Sequence, residues 1–267
     1  RDLRPEKEVS IIFEPGNINA LATMSETIYD TSGNTDPAYF SSLNPKQTKT
    51  HPYLVAVAST ASGTTLTPDA AIAWFSGSTA ASVSEMDYLY DANYKARNIT
   101  GLMTATRVLD PANITVVKAK SEITYDGVLL DESESTRWDN PITNYRGLVT
   151  KTRSWHDIGA NQYIDTNVQY DLMGNLRYSW DGRGNLRQIE YSYLNDYAYP
   201  TKTISPIPGG NGSTTAFETT VIYDYNTGLP TSTTDANGQT TTISYADPVT
   251  AVIDPMLRVR KVTAPNG

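Results

Sequence analysis

The chain shows two textures of hydrophobic and polar positions. From about residue 96, strand-length alternating segments are separated by turn clusters every eight to twelve residues or so, a spacing that predicts an all-β architecture. Leu176, Tyr178 and Trp180 alternate with Arg177 and Ser179, and past the next turn Ile189, Tyr191 and Tyr193 alternate with Gln188, Glu190 and Ser192. Each strand thereby offers one apolar, aromatic face. Thr233 to Tyr245 carries Asn237-Gly238 at its tip and sets Ile243 and Tyr245 opposite Thr242 and Ser244, the pattern of a hairpin.

Earlier signals are sparser. Val9 to Phe13 reads as a strand ended by Pro15-Gly16, and Tyr53 to Ala58 as another short one. Thr67-Pro68-Asp69 followed by AAIAWF predicts a helix, with Thr as cap and Pro in the first turn. The sequence thus divides into an irregular N-terminal region of mixed strand and short helix, residues 1–95, and a run of β-hairpin repeats, residues 96–267.

One formula recurs at the turns. Asp-x-x-Gly stands at Asp171/Gly174, Asp181/Gly184 and Asp235/Gly238, and once early at Asp30/Gly33. Asp at the first position of a type I turn accepts backbone N–H groups ahead of it, and Gly at the fourth takes the positive φ that closes a bulged hairpin. Four longer units begin alike, at Ile99, Tyr145, Ala198 and Asn226, with a small or turn residue and then a Thr-alternating strand. Their return strands run toward tyrosine: Tyr125-Asp126, Tyr170-Asp171, Tyr223-Asp224 (with Gly228 in its turn) and Tyr245-Ala-Asp. Tyr29-Asp30 and Tyr90-Asp91 extend the series, and the Asp-to-Asp intervals of 61, 35, 45 and 53 follow from the numbering. Repeats so unequal keep a common hairpin core and place insertions in loops.

The combination of Tyr-Asp-x-x-Gly-Asn-Leu at Tyr170, Tyr-Asp-x-x-Gly-Asn at Tyr29 and Thr-Asp-Ala-Asn-Gly at Thr234 resembles the YD-repeat (Rhs, rearrangement hotspot) family. The resemblance implies a spiralling antiparallel sheet of successive β-hairpins, used as a shell around a toxin in bacterial members and Tc-type complexes, or as part of an adhesion receptor in teneurins. It implies a secreted or cell-surface protein, with further repeats of the same chain, other copies of itself, an enclosed toxin domain or surface glycans as partners. The Asp-Pro and Gly-Trp-rich segment at which bacterial members cut themselves is not found; Asp254-Pro255-Met256-Leu257-Arg258 reads as an ordinary repeat turn.

Composition narrows the function. With 29 Asp+Glu against 21 Lys+Arg and a net charge of -8, and basic residues scattered singly, the chain is no nucleic-acid binder. No apolar run approaches a membrane span. Zero cysteines remove disulfides and thiolate chemistry. The start at Arg1 and the half-turn APNG at the end read as a piece of a longer chain. Tyrosines number 18 against 4 phenylalanines, a composition for half-buried sheet faces.

Chemistry is thinly signalled. His51 before Pro52 and His156 before a turn lack metal-ligand spacing, no Gly-x-Ser-x-Gly elbow occurs, and the Asp turns carry one carboxylate each, too few for an EF-hand. The expectation is therefore a non-catalytic structural segment, without cofactor or metal, building a shell, scaffold or extracellular fibre. The alternative is an adhesion or carbohydrate-binding module using the aromatic face of Tyr178, Trp180, Tyr191, Tyr193 and Tyr245.

Overall fold

The computed structural model describes residues 5–13, 19–30, 44–57, 67–128, 144–157, 159–209 and 215–266. The chain divides into two compact units: residues 1–125 with 145–164, and residues 126–144 with 165–267. The boundary expected at 95/96 does not fall between them. The N-terminal stretch instead belongs to a hairpin ladder continuing through the first long repeat, because its strands find partners on both edges.

In the first unit the strands are β1 (Lys7–Phe13), β2 (Asn19–Tyr29), β3 (Pro45–Thr50), β4 (Leu54–Val57), β5 (Ser82–Leu89), β6 (Leu102–Asp110), β7 (Asn113–Tyr125) and β8 (Val149–Asp157). Their order is β1-β2-β3-β5-β6-β7-β8, every pair antiparallel, with β4 also on β2. β3 and β4 form one edge track along β2, interrupted at His51-Pro52, since proline has no N–H for a ladder. The helix α1 (Pro68–Ala73) forms where the sequence predicts it: Thr67 Oγ1 accepts from Ala70 N at 3.3 Å, and Pro68 stands in the first turn. It covers the core of this unit, where buried Ala22, Met24 and Phe75 pack with Val9, Ile11, Leu54, Ile72 and Trp74. A second short helix, α2 (Ala92–Ala96), is capped by Asp91, whose Oδ1 accepts from Asn93 N at 2.8 Å. The Tyr90-Asp91 pair therefore starts a helix, where the repeat pattern would have it close a hairpin.

The second unit holds most of β9 (Gln162–Tyr170), then β10 (Leu176–Trp180), β11 (Leu186–Tyr191), β12 (Pro200–Ile204), β13 (Glu218–Tyr223), β14 (Pro230–Thr234), β15 (Thr240–Ser244) and β16 (Lys261–Thr263). From β9 to β16 each strand pairs antiparallel with the next in sequence. The expected all-β fold of successive antiparallel hairpins is what forms.

Candidate functional site

Three Asp-x-x-Gly turns share one geometry. Asp171, Asp181 and Asp235 each accept two backbone N–H groups on Oδ1, from residues two and four ahead, at 2.8–2.9 Å. Gly174, Gly184 and Gly238 return their N–H to the aspartate carbonyl at 2.9–3.0 Å and take φ of 90°, 80° and 76°. Asn175 and Asn185 add a side-chain bond to the second carboxylate oxygen, at 3.1 and 2.8 Å. The Asn185 amide, with the backbone donors, holds the Asp181 carboxyl below the usual carboxylate range. Both oxygens of Asp171 and Asp181 are occupied by the turn itself, so the doubled Asp-x-x-Gly-Asn-Leu-Arg is a structural device.

Asp224 serves a loop one residue longer: Gly228 N donates to Asp224 O at 2.9 Å, and Oδ1 accepts from Thr227 N and Oγ1, both at 2.9 Å. Asp247 repeats this loop with Ala251 in the glycine position, and Asp254 repeats the shorter turn with Leu257 there. Asp30 lies buried and accepts from Tyr90 Oη at 2.8 Å; Gly33 lies outside the described residues.

The opposite ends of the strands follow a second rule. In the first unit Tyr29 and Tyr125 at strand ends, and Tyr88 one residue before one, sit opposite Pro45, Val149 and Met103, and the register then skips Lys46, Thr150 and Thr104. In the second, Tyr170, Tyr191 and Tyr223 face Leu176, Pro200 and Pro230, and the register skips Arg177, Thr201 and Thr231. Each skip is a β-bulge, which frees a backbone carbonyl from the ladder. At Thr150, Thr201 and Thr231 the hydroxyl donates to the carbonyl across the bulge, of Thr124, Glu190 and Ile222, at 3.2–3.3 Å. The Thr-alternating motif read from the sequence is thus the bulge residue and its neighbours. Four of the bulge positions are threonine, and that recurrence was the available signal.

The tyrosine hydroxyls then reach back one hairpin. Tyr88 donates to Pro45 O at 3.0 Å, Tyr125 to Met103 O at 2.8 Å, Tyr245 to Pro230 O at 3.1 Å, and Tyr29 to Pro5 O at 3.1 Å. Except for Pro5, each acceptor is the residue paired with the preceding tyrosine. Burial pushes the phenols of Tyr88, Tyr125, Tyr170 and Tyr191 up.

The aromatic residues proposed as one face are distributed over two. Tyr178 and Trp180 stack at 6.0 Å and share a face with their ladder partners Gln188 and Leu186. Tyr191, Tyr223 and Tyr245 follow the other face through Ile189, Thr203, Thr219, Val221, Thr233 and Thr241. Tyr193 starts a single 3₁₀ turn and is exposed.

One polar cluster was missed from the sequence. On the face of the first unit covered by α1, Lys7, Glu26 and Lys49 are neighbours across β1, β2 and β3, with Glu26 3.2 Å from Lys7 and 3.7 Å from Lys49. Further along the same face Arg107 bridges Glu85 and Asp87, and Glu122 pairs with Lys120 and Arg153. Alternation alone cannot reveal such a row, because it says nothing about which strands are neighbours. His51 is buried: the break before Pro52 turns its ring inward, edge-on to Phe75 at 5.8 Å. Its Nδ1 lies 2.8 Å from Ser78 Oγ, and Nε2 lies 3.9 Å from Glu26 Oε1. A cavity of about 650 Å³ opens beside these groups, lined also by Asp69, Ile72 and Ile114. His156 is exposed on β8. No group of three or more metal-ligating side chains occurs among the described residues.

No protein-family model matches this sequence, and no curated protein matches it. Among solved structures the chain is similar to a TcdB2-TccC3-TEV crystal structure, at 11% identity and a TM-score of 0.53, over 89% of this chain and 13% of that one. It also aligns with TcdB2-TccC3 at 14% identity, 91% and 10% coverage and a TM-score of 0.41. A Photorhabdus luminescens Tc holotoxin pore with a mutated TccC3 aligns at 14%, 96% and 10%, with a TM-score of 0.39. The first likeness shows a shared fold, a run of antiparallel hairpins.

Proposed function

We propose that this chain is a structural segment of a secreted YD-repeat protein, non-catalytic, forming part of a β-sheet shell, scaffold or extracellular fibre. The observation that carries this reading is the set of tyrosine bonds, from Tyr88, Tyr125 and Tyr245, that run from one hairpin back to the one before it and join them by a side chain as well as by the ladder. The repeated Asp turns point the same way, since their carboxylates are spent on backbone N–H groups. The fold shared with the TcdB2-TccC3-TEV chain supports a wall-forming role, and the lack of a membrane-length apolar helix among the described residues agrees with a secreted chain. Cryo-electron microscopy of the full-length protein tests it: these strands should form a wall around an interior or a contact between copies in a fibre. A compact particle in which they do neither overturns the proposal.

A further inference from the structure

Among the described residues, the densest run of exposed apolar side chains lies between β15 and β16. Val249, Val252, Ile253, Met256 and Val259 all face solvent there. Exposed aliphatics scattered singly need no partner, whereas a cluster marks an interaction surface. Two turns carry it, and both reuse Asp loops whose tips are polar elsewhere. The loop of Asp247 holds Pro248-Val249 where that of Asp224 holds Tyr225-Asn226. The turn of Asp254 holds Pro255-Met256 where those of Asp181 and Asp235 hold Gly182-Arg183 and Ala236-Asn237. The Asp171 turn is also apolar, but there Leu172 is buried. Val249 and Met256 are instead 91% and 75% exposed. Arg260 holds the two turns side by side, its guanidinium nitrogens 3.3 Å from Asp247 and 3.5 Å from Asp254.

The backbone of these turns decides what kind of partner they suit. Pro248 and Pro255 have no N–H. Asp247 Oδ1 accepts from Val249 N and Thr250 N, both at 2.9 Å, Asp247 O from Ala251 N at 2.9 Å, and Thr250 Oγ1 from Val252 N at 3.5 Å. Asp254 Oδ1 accepts from Met256 N at 2.9 Å, and Asp254 O from Leu257 N at 2.8 Å. Every N–H of residues 248–252 and 255–257 is thus satisfied without water, as a turn entering a medium free of hydrogen-bonding groups requires. No aromatic ring is among the five exposed side chains, although aromatic residues anchor most protein–protein contacts. Arg258 and Lys261 are exposed on the same stretch, placing cations beside the apolar tips. The chain is acidic overall, but over residues 245–263 Arg258, Arg260 and Lys261 outnumber Asp247 and Asp254. Screening over about 8 Å in physiological salt leaves this local balance to decide.

We propose that the paired turns between β15 and β16 dock on the surface of a phospholipid bilayer, with Val249 and Met256 entering the acyl boundary and Arg258 and Lys261 at the headgroup phosphates. Such docking is peripheral and needs no spanning element. It is independent of the tyrosine bonds and of the wall they support.

Flotation of the full-length protein with vesicles of phosphatidylcholine mixed with phosphatidylserine tests it. The protein should rise with the vesicles. Val249→Asn and Met256→Gln should each weaken its partition about tenfold, the size of burying one aliphatic side chain. Both side chains stand in solvent, so the melting temperature of each variant should be unchanged. Three results overturn the proposal: protein left behind by the floating vesicles, full partition of both folded variants, or self-association without vesicles that the same variants abolish, which would make the patch a contact between copies.

Discussion

At two turns the chain places a side chain where its other turns place glycine. Ala251 and Leu257 hold φ of 56° and 53°, in loops otherwise built like those closed by Gly228, Gly174, Gly184 and Gly238. A left-handed conformation costs a residue with a Cβ at least about 1 kcal/mol, and the extra freedom of glycine when unfolded takes back about 0.5 kcal/mol. Ala251→Gly and Leu257→Gly should therefore each raise stability by about 0.5 kcal/mol in urea denaturation. Gly228→Ala should do the opposite, by about 1–2 kcal/mol, because φ is 69° and the new Cβ would meet Tyr199 Oη at 2.8 Å. Titration is a second residue-level handle. Burial, with the Asp30 carboxylate that accepts its proton, pushes the Tyr90 hydroxyl up to about 12. A folded-state value above the unfolded one near 10 gives stability that is complete below pH 10 and is lost as pH rises toward 12. Denaturation midpoints should fall across that window, and less so in Tyr90→Phe. At the acid end the signs reverse. Asp181, Asp224, Asp247 and Asp254 are held low by the N–H groups, amide and hydroxyl they accept from, so their stabilisation is present above about pH 4 and is lost as pH falls below it.

Among the elements, the hairpin was the legible unit. Alternation and Asp-x-x-Gly placed β10, most of β11 and β15 and the turns at Asp171, Asp181 and Asp235, because a period of two and a glycine of positive φ are local properties, whereas the strand read on to Tyr193 ends at Tyr191. Helix α1 was legible for the same reason, its cap and its proline lying side by side. The bulges were not, since a bulge is a mismatch between two strands and neither sequence contains it alone. Nor was the burial of His51, which depends on Met24 on β2 and on Phe75 and Ser78 in the turn after α1 arriving from two other segments. The division of the aromatic residues between two faces had the same origin, because alternation was read strand by strand without the cross-strand register. The bulge can be tested as an element. Thr201→Val and Thr231→Val keep the branched shape and remove the hydroxyl that meets Glu190 O or Ile222 O, and each should cost about 1 kcal/mol in chemical denaturation. Tyr125→Phe should cost a similar amount, about 1 kcal/mol, by leaving Met103 O without its phenol donor.

On the scale of the whole molecule, nearly every strand pairs with its nearest neighbours in sequence, so each hairpin depends chiefly on the two beside it. Opening should then be graded. Amide hydrogen exchange is expected to be slow in β6 and β7, where strands of 9 and 13 residues pair, and fast in β16, three residues long with Val262 exposed. Uniform protection across both would show a single cooperative block. The tyrosine bonds add a direction to this dependence. In every one of them the donor is the later residue and the acceptor the earlier: Tyr29 to Pro5, Tyr88 to Pro45, Tyr125 to Met103, Tyr245 to Pro230. A hairpin leaving the ribosome therefore finds the acceptor for its tyrosine already laid. Such a chain can be assembled like courses of brick, each keyed into the one below, in the order of its own translation.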